Sequence, residues 1–234
     1  MSALAPPRLT AIALAPDWQD AQAGRRTAFL RNLDRLCRAV APFGPGAAVL
    51  LRAHGLEPAA WARLLDALEL DLASLPLAVG VTAATVRDEA QAVAWSRDLL
   101  DRGISFVQVP EHAAATVHWR TVLDHGDAGR LAFGRSCHDK SGLAVALRAG
   151  ADWAWVSPVF ATPSKLGEVP LGLEGLSELA QEHPGQVVAL GGIGVECVPS
   201  VFRAGAAGVA CLRAAWEPGC PALAAACLAT SGRY

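Results

Sequence analysis

The chain of 234 residues is 53% hydrophobic and 18% charged, and its formal net charge is −2. This apolar content supports a large core and excludes global disorder. The charge balance lacks the basic field that attracts nucleic acids or anionic membranes, so we expect a small-molecule partner. No stretch reaches about 18 uninterrupted apolar residues and the N-terminus lacks the pattern of an export signal, which favours a cytoplasmic protein outside the membrane.

Short apolar runs alternate with longer amphipathic segments along the sequence, a pattern typical of βα units. Eight runs are predicted strands: Leu9–Leu14, Ala47–Arg52, Leu75–Val81, Ile104–Val109, Leu131–Ser136, Trp153–Ser157, Val187–Leu190 and Gly208–Leu212. Eight segments are predicted helices: Arg26–Val40, Pro58–Leu68, Ala84–Asp101, Ala115–Leu123, Lys140–Arg148, Leu173–Gln181, Cys197–Arg203 and Pro221–Leu228. This count predicts a (β/α)8 TIM barrel forming a single domain over residues 1–234, with a doubly wound open sheet as the alternative.

The predicted helix ends carry local signals that support these boundaries. Gly103, Gly150 and Gly205 each follow a predicted helix, where glycine favours the left-handed conformation that ends it. Asp139 precedes the fifth helix and is a typical N-cap residue.

The loops after the last two strands are the predicted phosphate site, because TIM-barrel ligands bind at the carboxyl ends of the strands. Gly191 and Gly192 follow strand 7 and leave the backbone open to an anion. Leu212 and Arg213 follow strand 8, where the guanidinium can donate charge-assisted hydrogen bonds. Glycines also occur in ordinary turns, so the predicted phosphate site depends on the position of this glycine pair directly after strand 7.

The connection after strand 6 is longer than an ordinary βα loop, which is typical of binding loops and lids. Thr162 and Ser164 supply two hydroxyls, and Lys165 adds a mobile cation. Together they can clamp a phosphate or diphosphate. The alternative is a solvated loop with turn residues only.

Polar residues after strands 5 and 2 complete the candidate site. Ser136 and His138 alternate at the end of strand 5, so both can face the barrel mouth, and His138 can carry a proton near neutral pH. A structural histidine is the alternative. Arg52 and His54, at the end of strand 2, are candidate substrate-binding residues. Cys137 is expected to be a packed small residue rather than a nucleophile.

The sequence contains no metal-ligand spacing of histidines or cysteines, so neither a metal nor a cofactor is predicted. The six cysteines include no C-x-x-C pair, and reduced thiols are expected. The oligomeric state stays open, a homodimer included.

Six motifs follow one another in the second half of the chain: Gly134–Asp139, Ala149–Asp152, Ser157–Lys165, Pro170–Leu176, Ala189–Ile193 and Ala204–Ala210. In this order they resemble the thiamine phosphate synthase and TenI-type thiazole tautomerase superfamily, from Gly134 to about Ala215. The resemblance implies a TIM barrel that handles thiazole phosphate, with Thr162, Ser164, Gly192 and the Leu212–Arg213 turn at the phosphate and with Ser136 and Lys165 near a leaving diphosphate.

The sequence also departs from the synthase pattern of this family. The Gln-x-Arg-x-Lys motif after strand 2 is reduced to Arg52, and Gly80–Val81 is the expected equivalent of an Asn-Asp pair after strand 3. Near residues 109–112, where the synthases have an acidic residue for magnesium diphosphate, no clear aspartate is present, and whether Glu111 or another residue replaces it stays open. Because Mg²⁺ needs carboxylate oxygens, we expect phosphate recognition without magnesium chemistry.

Two classes of function fit these features. The first is a thiamine phosphate synthase-like transferase or tautomerase-like isomerase acting on a thiazole phosphate or similar ester, with His138 or Lys165 carrying a proton. The second is a non-catalytic binding or regulatory protein that keeps the phosphate site. A barrel enzyme acting on a sugar phosphate is a more remote alternative.

Overall fold

The computed structural model describes residues 4–15, 23–53, 55–68, 75, 77–111, 113, 117–125, 129–216 and 220–229. Eight strands alternate with helices within these residues. The strands are β1 (Leu9–Leu14), β2 (Ala47–Arg52), β3 (Ala78–Thr82), β4 (Phe106–Val109), β5 (Ala132–Cys137), β6 (Trp153–Val156), β7 (Val187–Leu190) and β8 (Gly208–Cys211). The α-helices are α1 (Ala23–Val40), α2 (Pro58–Asp66), α3 (Glu89–Asp101), α4 (Trp119–Val122), α5 (Lys140–Arg148), α6 (Gly172–Glu182), α7 (Val198–Arg203), α8 (Arg213–Trp216) and α9 (Cys220–Ala229).

The strands form a closed barrel in chain order, and every neighbouring pair is parallel. Closure comes from β1, where Leu9 pairs with Val209 and Ala11 with Cys211 of β8. The predicted TIM barrel is therefore confirmed, and the open-sheet alternative is wrong. None of the described helices combines the length and apolar character needed to cross a membrane.

Several predicted boundaries are wrong for identifiable reasons. The predicted start of strand 4 at Ile104 is two residues early, because the Ile104 amide donates to the Leu99 carbonyl at the end of α3. The predicted start of α3 at Ala84 is also early, because Asp88 caps the helix by accepting from the Gln91 amide at 2.8 Å. Strand 3 begins at Ala78 rather than Leu75, because its ladder with β2 starts at the pair of Ala78 and Ala48.

The remaining differences are small. Other ends shift by one to three residues, the usual uncertainty of element ends. The fourth helix is shorter than the prediction, and residues 114–116 lie outside the described part of the chain. The short helix α8 was not predicted.

Local capping agrees with the sequence. Gly103, Gly150 and Gly205 adopt φ values of 77°, 83° and 95°, and Asp139 accepts a hydrogen bond from the Gly142 amide at 2.7 Å. The three glycine conformations and the Asp139 hydrogen bond confirm the predicted helix ends.

Large aromatic residues fill the barrel interior and glycines make room for them. The rings of Phe106 and Trp153 lie edge to face, with centroids 5.7 Å apart. A Cβ at Gly80 would lie 2.2 Å from the Phe106 ring, and one at Gly134 would lie 2.6 Å from the Trp153 indole nitrogen. Gly80 and Val81 lie inside β3, as the predicted strand Leu75–Val81 has them, so neither belongs to the loop that follows the strand.

The amino end of the barrel is stabilised by a buried carboxylate. Asp152, only 1% exposed, accepts hydrogen bonds from the Phe133 amide at 2.8 Å and from Arg120 at 2.9 Å, and it also pairs with Arg130. The Leu4 amide donates to the same carboxylate at 3.0 Å. This network lies opposite the predicted ligand face, where barrel residues typically serve stability.

Candidate functional site

Two cavities adjoin at the carboxyl ends of the strands. The first has a volume of about 400 Å³ and lies mainly over β6, β7 and β8, and the second, of about 280 Å³, reaches across to β3, β4 and β5. Both are lined by Ile12, Arg52, Ser157, Lys165 and Leu190. They lie at the face where TIM-barrel ligands bind.

The first cavity brings together the residues predicted to bind phosphate. Its lining includes Thr162, Ser164, Lys165, Gly191, Gly192, Leu212 and Arg213. Gly191 and Gly192 have φ values of 100° and 68°, a left-handed conformation in which other residues are strained. A Cβ at Gly192 would lie 2.8 Å from the carbonyl oxygens of Phe160 and Ala161, so the loops after β6 and β7 touch through bare backbone.

Cationic side chains close this cavity from two loops. Arg213, at the start of α8, donates from Nη2 to Thr162 Oγ1 at 3.0 Å. Lys165 lies in a single 3₁₀ turn, Pro163–Lys165, and its Nζ donates to Glu168 Oε2 at 2.9 Å. This hydrogen bond lowers the pKa of the Glu168 carboxyl.

The second cavity contains the predicted proton carriers. His138 Nδ1 lies 2.6 Å from the Ser157 carbonyl oxygen, and Nε2 lies 3.2 Å from Glu111 Oε2. Ser136 accepts a hydrogen bond from the Gln108 side chain. Sequence reasoning missed Gln108, although a polar residue inside the apolar strand Phe106–Val109 is a usable signal.

Arg52 lies between the cavities as a half-buried cation. Its side chain lines both cavities and has neither a hydrogen bond nor an ion pair among the described residues. Burial lowers the pKa of its guanidinium below the ordinary value. A cation without a partner in this position favours an anionic group on the ligand.

Two other sequence predictions have different outcomes. His54 lies outside the described residues. Cys137 is fully buried, and burial raises the pKa of its thiol to about 12, followed by smaller effects of the Glu111 and Asp139 carboxylates. The prediction that Cys137 packs as a small residue is confirmed, since the thiolate is the nucleophilic form.

The side chains of the mouth do not fit the magnesium ion implied by synthase resemblance. Among the described residues, Glu111 is the only carboxylate residue that lines either cavity, and it faces His138. At the carboxyl end of β3, Thr82 uses its hydroxyl to donate to the Ala53 carbonyl at 2.7 Å. Magnesium is usually held by carboxylates together with ligand phosphates. The lining of the two cavities offers one carboxylate, that of Glu111, and it already faces His138.

The closed barrel with two adjoining cavities at its mouth defines a TIM-barrel protein. Within it, residues 128–215 match the family model described as thiamine monophosphate synthase. This match confirms the resemblance of the segment to the thiamine phosphate synthase/TenI superfamily that the sequence indicated.

Curated relatives match a part of the chain of similar length. A thiamine-phosphate synthase of Synechocystis sp. is 41% identical over 97 residues, which are 42% of this chain and 28% of the relative. One of Anaeromyxobacter dehalogenans is 42% identical over 97 residues, 41% of this chain and 44% of the relative. The matches thus span less than half of these relatives.

A solved structure extends the likeness in fold to the whole barrel. Thiamine phosphate pyrophosphorylase from Pyrococcus furiosus superposes with a TM-score of 0.60 over 97% of this chain and 98% of the other. The two sequences are 18% identical, so this likeness concerns the fold alone.

Proposed function

We propose that the barrel mouth binds a small phosphate ester, with thiazole phosphate as the candidate ligand, and that the protein acts in thiamine metabolism. The observation that carries the proposal is the meeting of Arg213, Thr162 and Lys165 around a cavity lined by Gly191 and Gly192. Backbone amides in such a loop and a guanidinium fork are typical phosphate ligands.

The phosphate occupies the first cavity, between Gly191–Gly192 and Leu212–Arg213. Thr162 and Ser164 donate hydroxyl hydrogen bonds, and Lys165 closes over the ester. Arg213 exchanges its bond to Thr162 for a charge-assisted bond to the phosphate, which is the stronger of the two.

The rest of the ligand lies in the second cavity. Arg52 pairs with its anionic or electron-rich end, and Ser136 donates a hydrogen bond from the opposite wall. His138 and Lys165 transfer protons to or from the ligand without a metal. Such an arrangement suits isomerisation of a heterocycle better than departure of a diphosphate, whose charge needs neutralisation.

A non-catalytic binding protein is the second candidate, favoured by the same shortage of carboxylates at the mouth. Calorimetry with thiazole phosphate tests binding, with inorganic phosphate and a sugar phosphate as competitors. NMR of thiazole phosphate with the purified protein then tests turnover, alone and with the pyrimidine diphosphate, each with and without Mg²⁺.

Binding of thiazole phosphate with metal-independent conversion supports the enzyme, and binding without conversion supports the second candidate. Coupling that requires Mg²⁺ and reaches about 1–10³ s⁻¹ would contradict the metal-free proposal. Preference for the sugar phosphate would assign the site to another substrate class.

A further inference from the structure

Gln108 is a polar residue inside the apolar strand β4, and it lines the second cavity although only 5% of the residue is exposed. Its amide nitrogen, Nε2, lies 3.2 Å from the Val109 carbonyl oxygen and also contacts the Ser136 hydroxyl. A carbonyl oxygen can only accept, so the part of the amide that faces it is the NH₂ group. The Val109 carbonyl therefore fixes the direction in which the amide of Gln108 points.

This orientation leaves one acceptor and one donor unused at the wall of the cavity. The two hydrogens of the amide go to the Val109 carbonyl and to Ser136 Oγ. The amide oxygen of Gln108, Oε1, has no hydrogen bond to a described residue, and unlike the hydroxyl of Thr10 it is not sealed inside the core. It therefore opens into the cavity, while Ser136 keeps its own hydroxyl proton to donate.

A ligand can supply both missing partners at once. A buried polar group without a partner is unfavourable, so a ligand that pairs with it binds more tightly than one that does not. The matching ligand has an N–H group that donates to Gln108 Oε1 and, next to it, an oxygen that accepts from Ser136. The edge of an amide has this arrangement.

The charges around the second cavity favour a neutral amide over two alternatives. Arg52 and Lys165 line this cavity and repel a protonated amidine, which also offers an N–H group. Glu111, the one carboxylate residue in the lining among the described residues, already faces His138. A carboxylate on the ligand suits the two cations, but its lone pairs would face those of Gln108 Oε1. The amide carbonyl instead places a partial negative charge near the cations and keeps the N–H group.

The apolar part of the lining suits a flat ring. Trp155 pairs with Ser136 in the register of β5 and β6 and lines the second cavity, and Ile12 and Leu190 add aliphatic surface. Aromatic and aliphatic walls of this kind pack well against planar rings. The volume of about 280 Å³ is close to the lower end of ordinary ligand pockets, roughly 300 Å³, and suits one small ring.

We propose that the second cavity selects a small planar ring with an amide edge, in which Gln108 Oε1 accepts from the N–H group and Ser136 donates to the carbonyl oxygen. The inference deepens the proposed function and rests on it in one respect, the extension of the phosphate ester into the second cavity. A thiazole ring has an acceptor nitrogen for Ser136 but no N–H group for Gln108. Among phosphate esters, one whose ring carries an amide edge therefore fits this cavity best.

The test compares two phosphate-free rings, 2-pyridone, with an N–H group beside a carbonyl, and N-methyl-2-pyridone, in which a methyl group replaces that hydrogen. Binding is followed by NMR of the 234-residue chain through the indole N–H signal of Trp155, assigned by its loss in Trp155→Phe. Such small ligands bind with dissociation constants on the order of 1 mM. We expect 2-pyridone to bind about 3–10-fold more tightly than its methyl derivative, the net effect of one hydrogen bond.

Two variants separate the acceptor from the donor. Gln108→Leu removes the acceptor, so the preference for 2-pyridone should disappear. Ser136→Ala removes the donor to the carbonyl that both probes share, so both bind more weakly and the preference stays. Gln181→Leu, at an exposed glutamine that donates to Ser177 at 3.1 Å, is the matched control and leaves both affinities unchanged.

The comparison in the parent protein tests the inference without any variant. Equal or tighter binding of N-methyl-2-pyridone by the parent overturns it, as does a preference that survives in Gln108→Leu. Tighter binding of 2-aminopyridine or benzoate than of 2-pyridone would assign the cavity to an amidine or a carboxylate. Failure of 2-pyridone to shift the Trp155 signal at about tenfold the expected dissociation constant would also overturn the inference. If the probes behave as expected and thiazole phosphate does not bind, the proposed function alone is wrong.

Discussion

Arg213 and Thr162 join the loops after β8 and β6 through one hydrogen bond of 3.0 Å between Nη2 and Oγ1. Both side chains line the first cavity, so the bond holds two donors at the place proposed for phosphate. A ligand phosphate can replace the hydroxyl as the acceptor for the guanidinium. The pair is therefore partly organised before the ligand arrives.

Replacing Arg213 by alanine should weaken binding of thiazole phosphate. The lost bond is a hydrogen bond between charged groups, worth about 1.5–3 kcal/mol. Calorimetry measures the change, and Arg35→Ala, an exposed arginine on α1, is the control that removes one positive charge elsewhere. Equal affinity of Arg213→Ala and the parent protein would place the phosphate elsewhere.

Gly192→Ala should lower the melting temperature more than Gly167→Ala. Both glycines have positive φ values, 68° and 86°, so both variants incur a left-handed penalty of about 1 kcal/mol. A Cβ at Gly192 would also lie 2.8 Å from the carbonyl oxygens of Phe160 and Ala161. A Cβ at Gly167 would have no atom within 4 Å apart from those of its chain neighbours. We expect a loss of about 2–4 °C for Gly167→Ala and a larger loss for Gly192→Ala. Equal shifts would show that the loops after β6 and β7 separate at no cost.

The barrel was predictable from sequence because its signals are local. The alternation of apolar runs, the N-cap at Asp139 and the glycine after α5 each depend on neighbours a few residues away. Errors arose where apolar residues precede a strand. Ile104 is buried and resembles a strand residue, but its amide belongs to the end of α3.

The candidate site was predictable only in its chemistry. Glycines, hydroxyls and cations after strands 6, 7 and 8 indicate an anion site, and closure of the barrel places them around one cavity. The contact between Glu111 and His138 joins residues 27 positions apart on neighbouring loops. No spacing rule predicts it, because it depends on how the ends of β4 and β5 lie in the closed barrel.

Asp152→Ala should strongly destabilise the protein. The variant leaves Arg120 and Arg130 half-buried without their carboxylate, and the Phe133 amide loses its acceptor. Breaking a buried ion pair of this kind costs about 3–5 kcal/mol, measured as the free energy of unfolding in urea. Asp34→Ala, which breaks the exposed pair with Arg38, is the control and should change stability little. A loss of phosphate binding with unchanged stability would assign Asp152 to the site instead.

Stability should also fall as the pH rises above 9, because Cys137 is buried as a thiol. Burial raises the pKa of this thiol from an ordinary value near 9 to about 12. Between these values the unfolded chain has lost the proton that the folded chain keeps, so the unfolded state binds fewer protons and the free energy of unfolding decreases with pH. Below pH 9 both states hold the proton and the effect disappears.

Urea unfolding at pH 7.5 and pH 10 measures this dependence in the parent protein and in Cys137→Ala. At pH 10, about one unit above the ordinary pKa, the thiol accounts for roughly 1.4 kcal/mol of lost stability, since one unit of pKa corresponds to about 1.36 kcal/mol. Cys137→Ala should therefore lose that much less than the parent on moving to pH 10, whatever its stability at pH 7.5. Cys197→Ala, at a partly exposed cysteine, should follow the parent. Identical losses in the parent and Cys137→Ala would mean that the thiol ionises as readily in the folded barrel as in the unfolded chain. That outcome would contradict the raised pKa that burial, Glu111 and Asp139 give to this thiol.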